Sequence, residues 1–317
     1  MEDSVPAGFS GRLIAKRFSE WFEIDSNLER WSSDERMISL AALQWRAQGA
    51  WYVEGNNFQI PSEYSGSILR FGDLELVKAA ENLASQATML FGSSAGGDQP
   101  KIIAGDKIVK FSGPLDTTNG RRWGDLLILE SLALETLRNL GFAIAVPEIK
   151  ELGNRIFLES NRFDRTGELT RLGRHAVVSL RSVDAAFLGS PQRNWEDSGK
   201  GLLKMNLILE EDLNLISRLR RFGAAIQNND MHFGNYSFFL KPEFPLIPAP
   251  VYDMLPMIYA PTRQGDMAME MIPVKETDLT IDPLIREGVA HFWTEASNHP
   301  GVSDSMSKIA TSHLDSI

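Results

Sequence analysis

The sequence predicts an α+β chain, mixed in its first half and mainly helical in its second. Three patterns carry this. A strand–turn–strand signal surrounds Gly105-Asp106, a long apolar repeat at helical spacing follows Asp125, and the second half reads as helix except for a short extended piece over residues 236–240. The change between the two falls near residue 168.

Each element has its own signal. Ser32 and Glu35 have capping-box spacing, in which each side chain satisfies the other's orphan amide, ahead of Met37, Ile38, Leu40 and Ala41. Residues 55–60 (Gly-Asn-Asn-Phe-Gln-Ile) read as a turn and a short strand. Asp73 stands as N-cap of a second helix, in which Leu76, Ala80, Leu83, Ala87 and Leu90 recur at helical spacing, and Gly92 occupies a left-handed C-cap position. A small-residue loop from Ser93 to Lys101 then leads into an apolar run. Gly105-Asp106 is a tight turn, with Lys107–Phe111 as the return strand. Asp125 opens a strong helix through Leu126, Leu129, Leu132, Ala133, Leu137 and Leu140, closed by Gly141. Val146–Ile149 and Arg155–Glu159 read as two more strands.

At 317 residues the chain can bury a large core and is expected to have two domains or lobes. A net charge of −10 repels phosphate backbones, so no direct nucleic-acid binding is expected. There are no cysteines, which excludes disulfides, thiolate chemistry and sulfur-ligated zinc. The five histidines are scattered, not set at a metal-ligand spacing. No apolar run is long enough to span a membrane, and Met1-Glu-Asp-Ser-Val-Pro lacks the basic start of a secretory signal. A cytoplasmic protein is the expectation.

The strongest chemical signal is Asn228-Asn229-Asp230-Met231-His232-Phe233-Gly234-Asn235, followed by an apolar strand. A phosphotransferase loop needs this arrangement: an Asp to accept or orient a hydroxyl, and an Asn whose amide oxygen holds magnesium. The same residues are also common turn chemistry. Ala249-Pro250-Val251-Tyr252-Asp253 follows one hairpin later, so that Asp253 can face Asn235 across a metal. Magnesium prefers hard oxygen ligands and takes few carboxylates, and this pair is that minimal set. The third part is the loop Ser93–Lys101, whose Gly96 and Gly97 allow backbone amides close to a phosphate, with Lys110 on the adjoining strand. It is not a Walker A sequence. Glu130, in the next helix, is placed to pair with Lys110. Taken singly, Lys110 reads better as a solvated strand lysine, and Glu130 better as an exposed helix carboxylate.

As an ordered set, these segments resemble the HipA-like serine/threonine kinases of bacterial toxin–antitoxin systems. The resemblance runs from about Phe91 to Pro261, through Ser94–Lys101, Lys110, Glu130, Gly141, Asn161-Arg162-Phe163-Asp164-Arg165, Arg174-His175, Asn229–Asn235 and Tyr252–Pro256. It implies a two-lobed, protein-kinase-like fold that binds ATP and Mg2+ between its lobes. Residues 1–90 would then be an N-terminal subdomain of the N-lobe, 91–168 its nucleotide-binding part, and 169–317 a mainly helical catalytic C-lobe. The resemblance makes Asp230 the catalytic Asp, gives magnesium to Asn235 and Asp253, and sets Lys110, Lys101 and His232 near the phosphates. It makes Asn161–Phe163 the hinge that reads adenine, with Asp164 and Tyr252 nearby. A serine in the glycine-containing loop is an autophosphorylation site in the family's toxin kinases. Ser94 matches it, with Ser93 beside it. The expected acceptor is a protein hydroxyl, and an antitoxin partner comes with the family. Two other readings stand beside this one. The Asp-x-His-x-x-Asn loop is similar to that of small-molecule phosphotransferases such as aminoglycoside or choline kinases, and an ATP-binding regulatory protein without transfer would keep the same residues.

Overall fold

The structure, a computed structural model, describes residues 15–16, 19, 24–43, 72–91, 101–104, 106–166, 173–189, 194–262, 264–274 and 282–317. Expected features at residues 55–60, at Gly92 and in the loop Ser93–Pro100 lie outside these.

Helix α1 (Ser33–Leu43) opens with the expected capping box: the Ser32 amide donates to Glu35 Oε2 at 2.6 Å, and the Glu35 amide to Ser32 Oγ at 3.2 Å. Helix α2 (Asp73–Phe91) begins on Asp73 itself, one residue off the expected cap, with Gly72 preceding it and donating to Glu75 Oε2. Strands β1 (Lys101–Ala104) and β2 (Lys107–Phe111) form the antiparallel hairpin. After helix α3 (Thr118–Asn139) come β3 (Pro147–Leu152) and β4 (Arg155–Asn161), which complete a four-stranded sheet in the order β1-β2-β4-β3.

The start of α3 corrects the sequence expectation. Asp125 does not open this helix. Thr117 is the N-cap, its side chain accepting from the Gly120 amide, and Asp125 lies in the helix interior, 1% exposed. Its carboxylate is spent elsewhere, taking the Ser303 amide at 2.8 Å and the Ser303 hydroxyl at 2.6 Å. The helix closes near the expected glycine, Gly141, which has φ +88° and so adopts the left-handed backbone that costs glycine nothing.

Alternation in the sheet assigns its two faces. Val109, Phe111 and Phe157 join Leu76 and Ala80 of α2 in a small core on one face. The intervening Ile156 and Leu158 turn to the other face, where they pack with Leu126, Leu129, Leu134 and Leu137 of α3. Each such leucine, once fully buried, contributes about 1.5–3 kcal/mol of hydrophobic stabilisation. Lys110 lies between Val109 and Phe111, so the pleat turns it toward α3.

Beyond one short antiparallel pair, β5 (Arg165–Thr166) with β6 (Gly173–Arg174), the chain is mainly helical. Helices α4 (Leu180–Phe187), α5 (Trp195–Lys204), α6 (Glu210–Ala225), α7 (Pro283–Asn298) and α8 (Asp304–Leu314) share the large core with α3. The extended piece expected at 236–240 is β8 (Ser237–Phe239), which sits between β7 (Val177–Ser179) and β9 (Ile247–Pro248). No described helix is long and apolar enough to cross a membrane.

Candidate active site

Lys110 is the centre of the site. Its Nζ lies 2.6 Å from both carboxylate oxygens of Glu130 on α3 and is also bonded to Asp253 Oδ1. Lys101 is directly opposite Lys110 in the β1–β2 register, so both side chains share one face, and Lys101 Nζ reaches Asp253 Oδ2 at 3.6 Å. Lys110 and Glu130 are buried, at 7% and 2% exposure, and buried charges persist when paired. Burial works against the Lys110 charge, but Asp253 and Glu130 outweigh it and hold its pKa above the ordinary lysine value. Burial likewise opposes the Asp253 charge, and Lys101 and Lys110 nonetheless keep it well below the usual carboxylate range. Burial pushes the Glu130 carboxyl up, so its charge depends on the ammonium beside it.

Two residues before Asp253, Val251 ties this segment to the stretch after α3: it bridges to Ile144, its amide donates to the Ala143 carbonyl and its carbonyl accepts from the Ala145 amide. Asp253 itself has φ +53°, a left-handed conformation uncommon for a residue with a Cβ.

The second group is the loop between α6 and β8. Asp230 and His232 are exposed, and the loop is shaped by bonds to its backbone. The Asn235 side-chain nitrogen donates to the Asp230 carbonyl at 3.0 Å, and the His232 amide donates to the same oxygen at 2.9 Å. His232 Nδ1 accepts from the Gly234 amide at 3.0 Å. The His232 carbonyl accepts from the Asn235 amide at 2.9 Å and from the indole of Trp195 at 3.2 Å. Tyr252 closes the loop from the other side, donating its hydroxyl to the Gly234 carbonyl at 2.7 Å with Ser237 Oγ at 2.6 Å.

The expected hinge lies at the end of β4. The Asn161 amide is bonded to the Val146 carbonyl at 3.4 Å and the Arg162 amide to the Asp106 carbonyl at 2.7 Å. These two donors are spent within the protein. Phe163 packs its ring 5.6 Å from that of Tyr252 and edge-on to Phe239 at 6.1 Å. Asp164 is buried and clasped by Arg162, at 2.9 and 2.8 Å, and by Arg165 at 2.9 Å, which makes it a brace of this turn. Ser94, Gly96 and Gly97 lie outside the described residues.

The structure thus brings Lys101, Lys110, Glu130 and Asp253 together, and holds Asp230, His232, Asn235 and Tyr252 in one adjoining loop system. The sequence reading passed over Trp195 and the bonding of Asn228. Among the described residues no group of three or more His, Cys, Asp or Glu is arranged to hold a metal. A cation here would therefore lean on ligand oxygens besides Asp253 and Asn235. These two are hard oxygen donors, and with the Asn235 amide nitrogen bonded to the Asp230 carbonyl, its oxygen is the chemically suitable donor. The set fits magnesium with a phosphate-bearing ligand.

Comparison with known proteins gives a consistent picture. Residues 93–316 match the HipA-like C-terminal domain. Over 330 aligned positions the chain is 34% identical to Toxin YjjJ of Escherichia coli strain K12, across 98% of this chain and 72% of that protein. Among solved structures, it is similar to the Shewanella oneidensis MR-1 HipA in its complex with HipB and operator DNA. The TM-score is 0.61 at 16% identity, over 97% of this chain and 84% of that one. The Helicobacter pylori proinflammatory kinase CtkA aligns with TM-score 0.44 at 14% identity, over 68% of this chain and 88% of that one.

Proposed function

The chain belongs to the HipA-like family and has its two-lobed, protein-kinase-like α+β fold, and on that premise we propose that it is an ATP- and Mg2+-dependent kinase that phosphorylates a protein serine or threonine hydroxyl. The observation that carries the proposal is Lys110 clamped between Glu130 and Asp253 beside the Asp230–Asn235 loop.

Bound ATP would supply the phosphoryl group. Lys110 and Lys101 would meet its phosphates, with Glu130 fixing the reach of Lys110. Asn235 and Asp253 would hold magnesium, which would supply charge neutralisation at the phosphates. Asp230 accepts or orients the acceptor hydroxyl; its exposed carboxylate is accessible to a macromolecular substrate. His232 would stand beside the phosphates. Phe163 and Tyr252 form an apolar wall for the base, and backbone contacts to it fall to the rest of the hinge, since the Asn161 and Arg162 amides are engaged. Ser94 is the proposed autophosphorylation site. A phosphate of nearly two charges there would repel nucleotide phosphates and switch the enzyme off.

A toxin role follows from the relative named a toxin, and a HipB-like antitoxin partner from the Shewanella complex. With a net charge of −10, contact with DNA would run through that partner. The test is incubation with γ-labelled ATP and magnesium, alone and with cell extract, beside Asp230→Ala. Label on a discrete extract protein that disappears with the variant supports the proposal. Label only in small molecules turns it to the aminoglycoside-kinase type, and binding without transfer makes it a regulatory protein.

A further inference from the structure

Two loops need a fixed spacing for the proposed site to work, and one buried side chain is bonded to both. Asn228, 4% exposed, follows α6 by a short turn. Its Oδ1 accepts the Asp230 amide at 3.1 Å, and its Nδ2 donates to the Asp253 carbonyl at 3.4 Å. The partners fix the orientation of the amide, since a backbone N–H only donates and a carbonyl only accepts. The Asn228 backbone amide is anchored on the Gly223 carbonyl at 2.8 Å, so the clamp is seated on the end of α6 and not on either loop.

From this side chain, one bond leads to Asp253 and two, by way of Asp230, lead to Asn235, the two proposed magnesium ligands. Through Asp230 it reaches Asn235, whose side-chain nitrogen is held by the Asp230 carbonyl. Directly it reaches Asp253, which keeps its left-handed backbone only because its surroundings hold it there. The geometry points to Asn228 as a positioning residue that sets the separation of Asn235 and Asp253 and so tunes magnesium binding without touching the metal. This rests on the kinase reading above.

A neighbour provides the control. Gln227 donates its side-chain amide to the Ile272 carbonyl at 2.7 Å, a bond of the same kind that reaches neither loop. A merely structural Asn228 would behave like Gln227. The experiment measures ATP binding by calorimetry over a magnesium titration, with thermal denaturation alongside, for wild type, Asn228→Asp, Asn228→Ala and Gln227→Ala. Asn228→Asp keeps the acceptor for the Asp230 amide and loses the donor to Asp253, while Asn228→Ala reads the same loss should the aspartate not fold. Removing a residue that orients metal ligands typically weakens metal affinity by about 10–100-fold. The magnesium concentration at half-saturation is therefore expected to rise by at least about tenfold in both Asn228 variants, with magnesium-free ATP affinity within about twofold of wild type. Gln227→Ala is expected to lose thermal stability and keep the wild-type magnesium response. A wild-type magnesium response in the Asn228 variants, or an equal shift in Gln227→Ala, overturns the inference while leaving the kinase reading intact. A wild-type protein whose ATP binding ignores magnesium overturns both.

Discussion

The two sides of the cleft are built on different principles. On the sheet side, Lys110 and Glu130 are buried, and their order comes from charge: an ammonium out of water needs carboxylates, and the pleat delivers it to Glu130 and Asp253. On the loop side, Asp230 and His232 are exposed, and order comes from the backbone, through the bonds that Asn228, Asn235, Trp195 and Tyr252 make to main-chain groups. The first side spends the proposed binding groups on the fold itself. The second leaves the Asp230 carboxylate in water, while its main chain and the side chains of Asn228, His232 and Asn235 make the bonds that shape it. On the proposed reading, stability and chemistry are therefore separable at Asp230 and inseparable on the sheet side.

The sharpest way to break that contrast is to remove a charge from each side. Lys110→Met leaves Glu130 and Asp253 without their cation, and breaking such a buried pair is expected to cost about 3–5 kcal/mol in denaturant unfolding. Asp230→Ala, on the exposed side, is expected to stay within about 0.5 kcal/mol of wild type. Equal losses would erase the distinction.

The acid limit of stability should lie on neither side. His313, fully buried on α8, stacks on Trp293 at 4.2 Å and bonds Tyr259 at 2.7 Å, and burial depresses its pKa from 6.5 to about 4. A depressed pKa means that the unfolded chain takes up the proton first. Stability is thus complete above the unfolded value and falls as pH drops from about 6.5 toward 4, by about 3 kcal/mol at most. Asp253, also depressed, loses its contribution only below the ordinary carboxylate range. Unfolding curves at pH 7, 6 and 5 should show the decline, and His313→Gln should flatten it.

Glu130→Gln keeps the shape and leaves Lys110 with Asp253, for an expected loss of about 1–3 kcal/mol. A smaller loss than at Glu130 is expected at Gly223. A Cβ on this glycine of α6 would press on Met231 Sδ and lie 3.1 Å from Met254 Sδ, which follow Asp230 and Asp253 in the chain. Because thioethers yield, Gly223→Ala is expected to cost about 1 kcal/mol of stability while slowing transfer more than that loss explains.

Much of this architecture could be read from residue order because it is local. The β1–β2 hairpin follows from its turn, the facing of Lys110 from alternation, and the Asp230–Asn235 loop from its spacing. What could not be read depends on distant partners. Asp125 has the look of a helix cap, yet its carboxylate serves Ser303 at the far end of the chain. Asn228 resembles turn chemistry until the Asp253 carbonyl arrives beside it. In each case a polar side chain has a local role on paper and a tertiary one in the fold.

The central claim is that the exposed carboxylate of Asp230 does chemistry while the rest of the cleft binds. Its most direct test is transfer from γ-labelled ATP by wild type and Asp230→Ala, with ATP–magnesium affinity measured on the same samples. The account predicts transfer reduced by about a thousandfold or more, which is about 4 kcal/mol of transition-state stabilisation, at an affinity within about twofold of wild type. Transfer undiminished in Asp230→Ala would contradict it.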